Sequence, residues 1–167
     1  ADERIMRYRH PMPTTRKIEK CLMVVLGGEK HGLNVSMTRF VYFDAIPEEI
    51  QTKYEKLQYL FASMQCMMKD GMSGNDFFEG VKKLYRDAGY ENEWQLHHQG
   101  GSTGYACREV VMKPTDQCII RTGQAYAWNP TITGVKCEET THLSEQGLEI
   151  FTLTGNWPVK TIETPYG

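Results

Sequence analysis

The chain has no C-x-x-C pair, no block of basic residues, no apolar run of bilayer length, no low-complexity tract and no internal repeat. Each absence removes a class of protein. The five cysteines, Cys21, Cys66, Cys107, Cys118 and Cys137, are odd in number and widely spaced. They make no zinc ribbon, and they cannot all pair as disulfides. Free thiols fit a reducing compartment, so a cytoplasmic location is expected. Nineteen basic against 21 acidic side chains leave a formal charge of −2, which argues against a nucleic-acid binder or a binder of anionic membranes. The first residues, ADERIMRYRHPMPTT, lack the apolar centre of a signal peptide. What is present is ordinary for a globular chain: 167 residues, 40% apolar and 24% charged, enough for one domain with a proper core.

The stretch that organises the rest is Trp94 to Glu109, WQLHHQGGSTGYACRE. His97 and His98 stand together, followed by Gly100 and Gly101, then hydroxyls, Tyr105 and the pair Arg108–Glu109. Glycine lets backbone approach a ligand or bend sharply. Imidazole titrates nearest neutrality and is a common metal ligand. The cluster reads as the wall of a small-molecule site; the plainer alternative is a surface loop with two solvated histidines.

In chain order, residues 1–16 read as an extended arm, since Pro11 and Pro13 bias the residues before them away from helix, with His10 capping or meeting solvent. Residues 17–43 read as an antiparallel hairpin. CLMVVL is a buried-strand run, Gly27 to Gly32 is a long turn, and Leu33 to Phe43 is the return strand. Residues 47–89 read as two helices. The first opens at Pro47 with Glu48 and Glu49 in its first turn. Its apolar stripe is Ile50, Tyr54, Leu57, Phe61, Met64 and Met68. The second starts near Ser73 or Asn75 and buries Phe77, Phe78, Val81, Leu84 and Tyr85. Residues 94–167 read as the site-bearing strands: Glu109–Lys113, an extended Gln117–Arg121, a two-faced Gln124–Asn129, a loop Pro130–Gly134, Val135–Leu143, and a last strand Glu149–Leu153. Strands, then helices, then strands give an α+β domain with a mostly antiparallel sheet.

Three segments in this order, HHQGGSTGY-x-x-RE, GQAYAWNP and KCEETTHLSEQGLEIFT, together with the hairpin LGGEKHGLNVSMTRF, resemble the C-terminal half of the pita-bread fold. That family holds methionine aminopeptidase, aminopeptidase P, prolidase and creatinase. The resemblance covers nearly the whole chain and implies a curved sheet with helices on its outer face. It also implies an N-terminal end shorter than the family's catalytic domain, with the usual N-terminal domain missing, as in an excised domain. Its metallopeptidases hold two divalent ions with two aspartates, a histidine and two glutamates. Those positions fall here on Val25, Ser36, His98, Asn129 and Glu138. Three of the five have lost their carboxylate, and two close divalent ions need several anionic oxygens. No cofactor is therefore expected, one weakly held divalent ion on His98 and Glu138 being the alternative left open.

By the same resemblance two functions follow. One is a hydrolase acting without metal, as creatinase does, on a small amide or dipeptide. His98 would be general acid/base, and Glu138 or Glu109 would fix its tautomer or hold a cationic group. Arg108 and Tyr105 would hold a carboxylate or oxyanion, with His97 and Asn129 also lining the substrate. The other is a catalytically inactive pita-bread domain that binds a small molecule, a peptide or a partner subunit. A homodimer and the absent N-terminal domain are the protein partners the resemblance suggests. For each side chain a structural role competes: Glu138 pairing with Lys136 or Arg108, Tyr105 in the core, His97 facing solvent.

Overall fold

The computed structural model describes all residues from Ala1 to Gly167. A short helix α1 (Glu3–Arg7) precedes a hairpin of β1 (Cys21–Lys30) and β2 (Leu33–Tyr42). Helices α2 (Glu48–Cys66) and α3 (Gly74–Asp87) follow, then a 3-10 turn at Glu93–Leu96. The remaining strands are β3 (Gly100–Thr103), β4 (Val110–Val111), β5 (Ala125–Trp128), β6 (Thr131–Ile132), β7 (Val135–Lys136), β8 (Glu139–Ser144) and β9 (Gly147–Ile150). Five of them form an antiparallel sheet in the order β4-β3-β5-β8-β9, while β1–β2 and β6–β7 are separate antiparallel pairs. This is the expected α+β architecture. No helix is long and apolar enough to cross a membrane.

The two helices form where the apolar spacing places them. Ser73 caps α3 by accepting a hydrogen bond from the Asp76 amide at 3.1 Å, and Phe77, Phe78, Val81, Leu84 and Tyr85 are all buried. In α2 the stripe from Leu57 through Phe61 to Met64 is buried, while Ile50 and Tyr54 pack at its edge. Both helices close over β5. The Phe77 ring stacks on Trp128 with centroids 4.5 Å apart, and Trp128 stacks on Tyr126 at 5.6 Å. Trp128 is wholly buried, and its indole N–H points at the Met68 sulfur, 3.1 Å away.

Several local expectations are corrected. The arm is not extended throughout, because Glu3–Arg7 is helical, a length too short to show a period. The Asp2 carboxylate accepts the amides of Glu19, Lys20 and Cys21, tying the arm to β1. The hairpin turn is short: Gly27–Lys30 is strand, and the chain reverses at His31 and Gly32, with φ of 55° and 84°. Those two left-handed residues match the twist of a two-residue hairpin turn. CLMVVL is only half buried: Cys21 and Met23 face inward, while Val25 and Leu26 are exposed. Residues Ala125–Trp128 do not show two different faces, since all four are buried between the helices and the hairpin side of the sheet. Thr131–Ile132, expected within a plain loop, is a strand that pairs with Val135–Lys136. The expected strand at Glu109–Lys113 shrinks to Val110–Val111, and Gln117–Arg121 contributes only an isolated bridge, Ser73 to Ile119.

Gly100 starts β3, opposite Trp128 on the antiparallel neighbour β5. Its φ is 107°, and a Cβ there would overlap the Ala127 carbonyl oxygen. Two losses of stability are expected in urea unfolding. Trp128→Ala removes the stacked centre of the core and should cost about 3–5 kcal/mol. Gly100→Ala should also destabilise, through a left-handed backbone and a steric overlap. An unchanged midpoint in either variant would contradict this packing.

Candidate active site

The hairpin lies across the sheet at β8. The Thr38 amide donates to the Glu138 carbonyl at 3.1 Å, and the Ser36 amide donates to the Thr140 hydroxyl at 2.8 Å. Alternate residues of β2 therefore lock to alternate residues of the Glu138–Thr140 segment. The Thr38 hydroxyl donates to a Glu138 oxygen at 2.6 Å, while the Arg39 guanidinium pairs with Glu139 at 2.6 Å. On the other side of β8 the register Trp128 to Glu139 and Gly100 to Trp128 brings the ends of β3, β5 and β8 level. One residue beyond these ends, the Asn129 amide donates to the Gln99 carbonyl at 3.0 Å. Gln99, Asn129 and Glu138 thus fall in one row, with His97 and His98 just upstream.

Gln99 fixes the histidine loop. Its buried amide accepts from the Tyr85 hydroxyl at 2.9 Å and donates to the His97 carbonyl at 2.7 Å. The loop's rings then cluster: His97 and His98 have centroids 4.4 Å apart, and His10 comes from the arm to put its Nε2 at 2.7 Å from His97 Nε2. Burial, then the neighbouring His98 and Lys136 charges, pushes the His97 pKa down to about 3. Desolvation, then Arg108, pushes His98 down to about 4. Burial, then Lys136, also lowers His10. All three are neutral imidazoles at pH 7.

Glu138 is 4% exposed, and Lys136 is 2% exposed. The Lys136 ammonium stands 2.9 Å from one Glu138 oxygen, and the Arg108 guanidinium stands 3.1 Å from the other. Burial pushes the Glu138 carboxyl up. Lys136, the Thr38 hydroxyl and Arg108 more than offset this, and its pKa lies below the ordinary value. Burial outweighs Glu138 at Lys136 and lowers that pKa. Arg108 also reaches the Ser36 hydroxyl at 3.2 Å. Three buried polar atoms here have no protein partner of good hydrogen-bond geometry: Lys136 Nζ, Arg108 Nε and Asn129 Oδ1.

Of the residues singled out by sequence, His97, His98, Arg108, Ser36, Asn129 and Glu138 gather around this row. Tyr105 and Glu109 do not. Tyr105 is 90% exposed and lies against Gly32 at the hairpin tip. The Glu109 carboxylate accepts the Ala106 amide at 3.1 Å and braces its own loop. Val25 is 40% exposed and offers no donor. Lys136 takes the pairing with Glu138 that the sequence offered as its structural role, because it lies two residues before Glu138 in an extended segment and so faces the same way. One participant, His10, was not expected in the site. His10 had no local signal.

The metal-ligand positions that the resemblance implies do not fit a pair of divalent ions. Ser36 is neutral and takes Arg108, Asn129 is neutral, and both Glu138 oxygens are occupied by Thr38, Lys136 and Arg108. Two monocations already surround the one carboxylate, and a further divalent ion there would meet like charge.

Glu138→Gln should leave Lys136 as a buried charge without a counter-ion and cost about 3–5 kcal/mol in urea unfolding; a loss under about 1 kcal/mol would contradict the buried pairing. Stability should also fall with acid. His97 and His98 titrate ordinarily near 6.5 but stay neutral in the fold down to about 3 and about 4. Between those values the unfolded chain binds more protons, so their contribution is full above pH 6.5 and is lost as pH falls toward 3. Glu138 acts in the same sense lower down. Its contribution is present above the ordinary value of 4.5 and is lost as pH falls through its depressed folded value. With a chelator present, the urea midpoint should drop from pH 7.5 to pH 4.5, and His97→Gln should flatten that slope. A midpoint independent of pH over that range would overturn the assignment.

No family model matches the sequence, and no curated protein matches it. Solved structures do match in shape. A Xaa-Pro dipeptidase from Bacillus anthracis superposes with a TM-score of 0.78 at 17% identity, covering 94% of this chain and 45% of its own. A recombinant prolidase from Thermococcus sibiricus gives 0.75 at 20%, covering 87% and 41%. The N-terminal domain of the FACT complex subunit SPT16 from Eremothecium gossypii gives 0.68 at 13%, covering 86% and 37%. The chain spans less than half the length of each. With its antiparallel sheet, its two covering helices and the hairpin laid across β8, the chain has the pita-bread, peptidase-like fold.

Proposed function

We propose that this chain is a pita-bread domain that no longer runs dinuclear metallopeptidase chemistry and instead binds a small carboxylate-bearing amide or peptide. The observation that carries the reading is the pairing of one buried carboxylate with two cations. Glu138 offsets one of the positive charges of Lys136 and Arg108, leaving a surplus of one. A guanidinium suits a carboxylate through its planar fork, and a compact ammonium adds a point charge. Arg108 Nε and Lys136 Nζ have donors to spare, and Asn129 Oδ1 is a spare acceptor. A ligand with a carboxylate and a neighbouring N–H satisfies both kinds at once, and burial makes leaving them unmet costly.

The competing reading is metal-independent hydrolysis with His98 as acid/base. His98 is accessible and neutral at pH 7, as a general base must be. A base with a pKa near 4 abstracts protons weakly. Neither Glu109 nor Glu138 hydrogen-bonds its ring, so the orienting partner of a catalytic imidazole is absent from those two carboxylates. Binding is the better supported of the two.

Titration calorimetry against N-acylated amino acids and Xaa-Pro dipeptides tests it, run alongside a hydrolysis assay with and without manganese, cobalt or zinc. Saturable binding without turnover is expected, weakened about tenfold or more by Arg108→Gln, which removes a charge-assisted contact. Hydrolysis of Xaa-Pro or creatine-like amides that His98→Ala abolishes would refute the binding-only reading. Metal-dependent peptidase activity with near-stoichiometric metal would refute the loss of the dinuclear site.

A further inference from the structure

Outside the Glu138 group, one cluster has no role in the reading above. His10, from the N-terminal arm, meets His97 and His98, and the ring nitrogens that the three can offer all lie within 4.8 Å of one another. We propose that His10, His97 and His98 form a mononuclear site for a borderline transition-metal ion of the zinc class, with one coordination position left open. The site uses two residues that the inherited ligand set does not contain, and neither the arm nor His97 belongs to the group that holds Glu138.

The geometry is close to what such an ion needs. Nitrogens bound at about 2.0–2.1 Å in a tetrahedron stand about 3.3–3.4 Å apart. His10 Nε2 and His97 Nε2 are 2.7 Å apart, close enough that one must carry a proton and the other accept it. Opening that contact by about 0.7 Å and turning the His98 ring inward brings three nitrogens to ligand spacing. His10 and His98 already stack, with centroids 6.0 Å apart and planes 7° from parallel. His97 also carries a buried Nδ1 with no protein partner, on a backbone pinned by Gln99. In the Nε2–Nε2 hydrogen bond only one of the two nitrogens uses its lone pair; an ion bound at Nε2 of both rings uses both lone pairs, with each ring's proton held on Nδ1.

The donor set selects the ion. Three imidazoles without a carboxylate are poor ligands for magnesium or calcium and good ones for zinc, nickel, copper or cobalt. The neighbouring charges select the fourth ligand. Three neutral imidazoles leave both positive charges of the ion uncompensated, and Glu138 is already committed to Lys136 and Arg108. The site therefore takes an anion, such as chloride, hydroxide or a carboxylate, in its open position.

Zinc titration of the tag-free chain, read by competition with a chromophoric chelator, tests the site, with cobalt absorption reporting the coordination geometry. One zinc per chain is expected, with tetrahedral cobalt bands and a melting temperature that rises on adding zinc. His10→Ala should lower zinc affinity by roughly two orders of magnitude, since loss of an outer partner alone costs up to about a hundredfold. Its far-ultraviolet circular dichroism should be unchanged, because His10 is exposed and outside the core. His97→Gln gives the same loss from the loop side. Absence of saturable zinc binding in the wild type overturns the proposal. So does binding that His10→Ala leaves intact, since such an ion would sit on His98 and Glu138 instead. Neither outcome bears on carboxylate binding at Arg108, which the calorimetry above reads separately.

Discussion

The structure turns on one buried carboxylate that cannot be left alone. Glu138 lies where β2 crosses β8, almost wholly out of water, and an ionised carboxylate there is tolerable only if its charge is met. Lys136 reaches it from two residues upstream, Arg108 from the loop after β3, and the Thr38 hydroxyl from the hairpin. These three contacts draw together segments separated by up to 100 residues in sequence. They tie hairpin, histidine loop and β8 into one unit. The neighbouring pair, Arg39 on Glu139, repeats the lock one residue along, with Thr152 closing it.

That solution has a chemical consequence. A pita-bread scaffold can neutralise acidic side chains with metal ions or with basic side chains. Here the two charges nearest the buried carboxylate are protein cations, Lys136 and Arg108. Cations fixed by covalent attachment cannot exchange, do not activate water, and leave a local surplus of positive charge. On the function proposed above, that surplus is what draws an anionic guest. The adjacent imidazoles, kept neutral by burial and by those cations, are free to act as ligands rather than as charges.

Much of this was legible in the chain. The helix stripes were readable because Phe77, Val81 and Leu84 recur at helical spacing, and no tertiary contact overrides that signal. The order of HHQGG, WNP and CEET carried the fold through the resemblance, and the positions Ser36, Asn129 and Glu138 do converge with the histidine loop. What escaped were features that depend on distant partners. The strand run CLMVVL reads as fully buried, but only the chain's own packing leaves Val25 and Leu26 outside. Tyr105 and Glu109 lie next to the histidines in sequence, yet the loop from Gly104 to Glu109 turns them toward the hairpin tip and toward their own backbone. His10 joins from 87 residues away across the fold, a pairing that no local pattern records.

The most direct test of the central claim is carbon-13 NMR of the Glu138 carboxyl, assigned by comparison with Glu138→Gln. It should be followed against pH with and without stoichiometric zinc. A carboxylate held by Lys136, Arg108 and Thr38 should remain ionised through the ordinary range near 4.5 and titrate only below it. Its resonance should not move when zinc is added at neutral pH. A carboxyl that titrates at or above 4.5 would show that the two protein cations do not hold this charge, and one that shifts on zinc binding would show that metal reaches it.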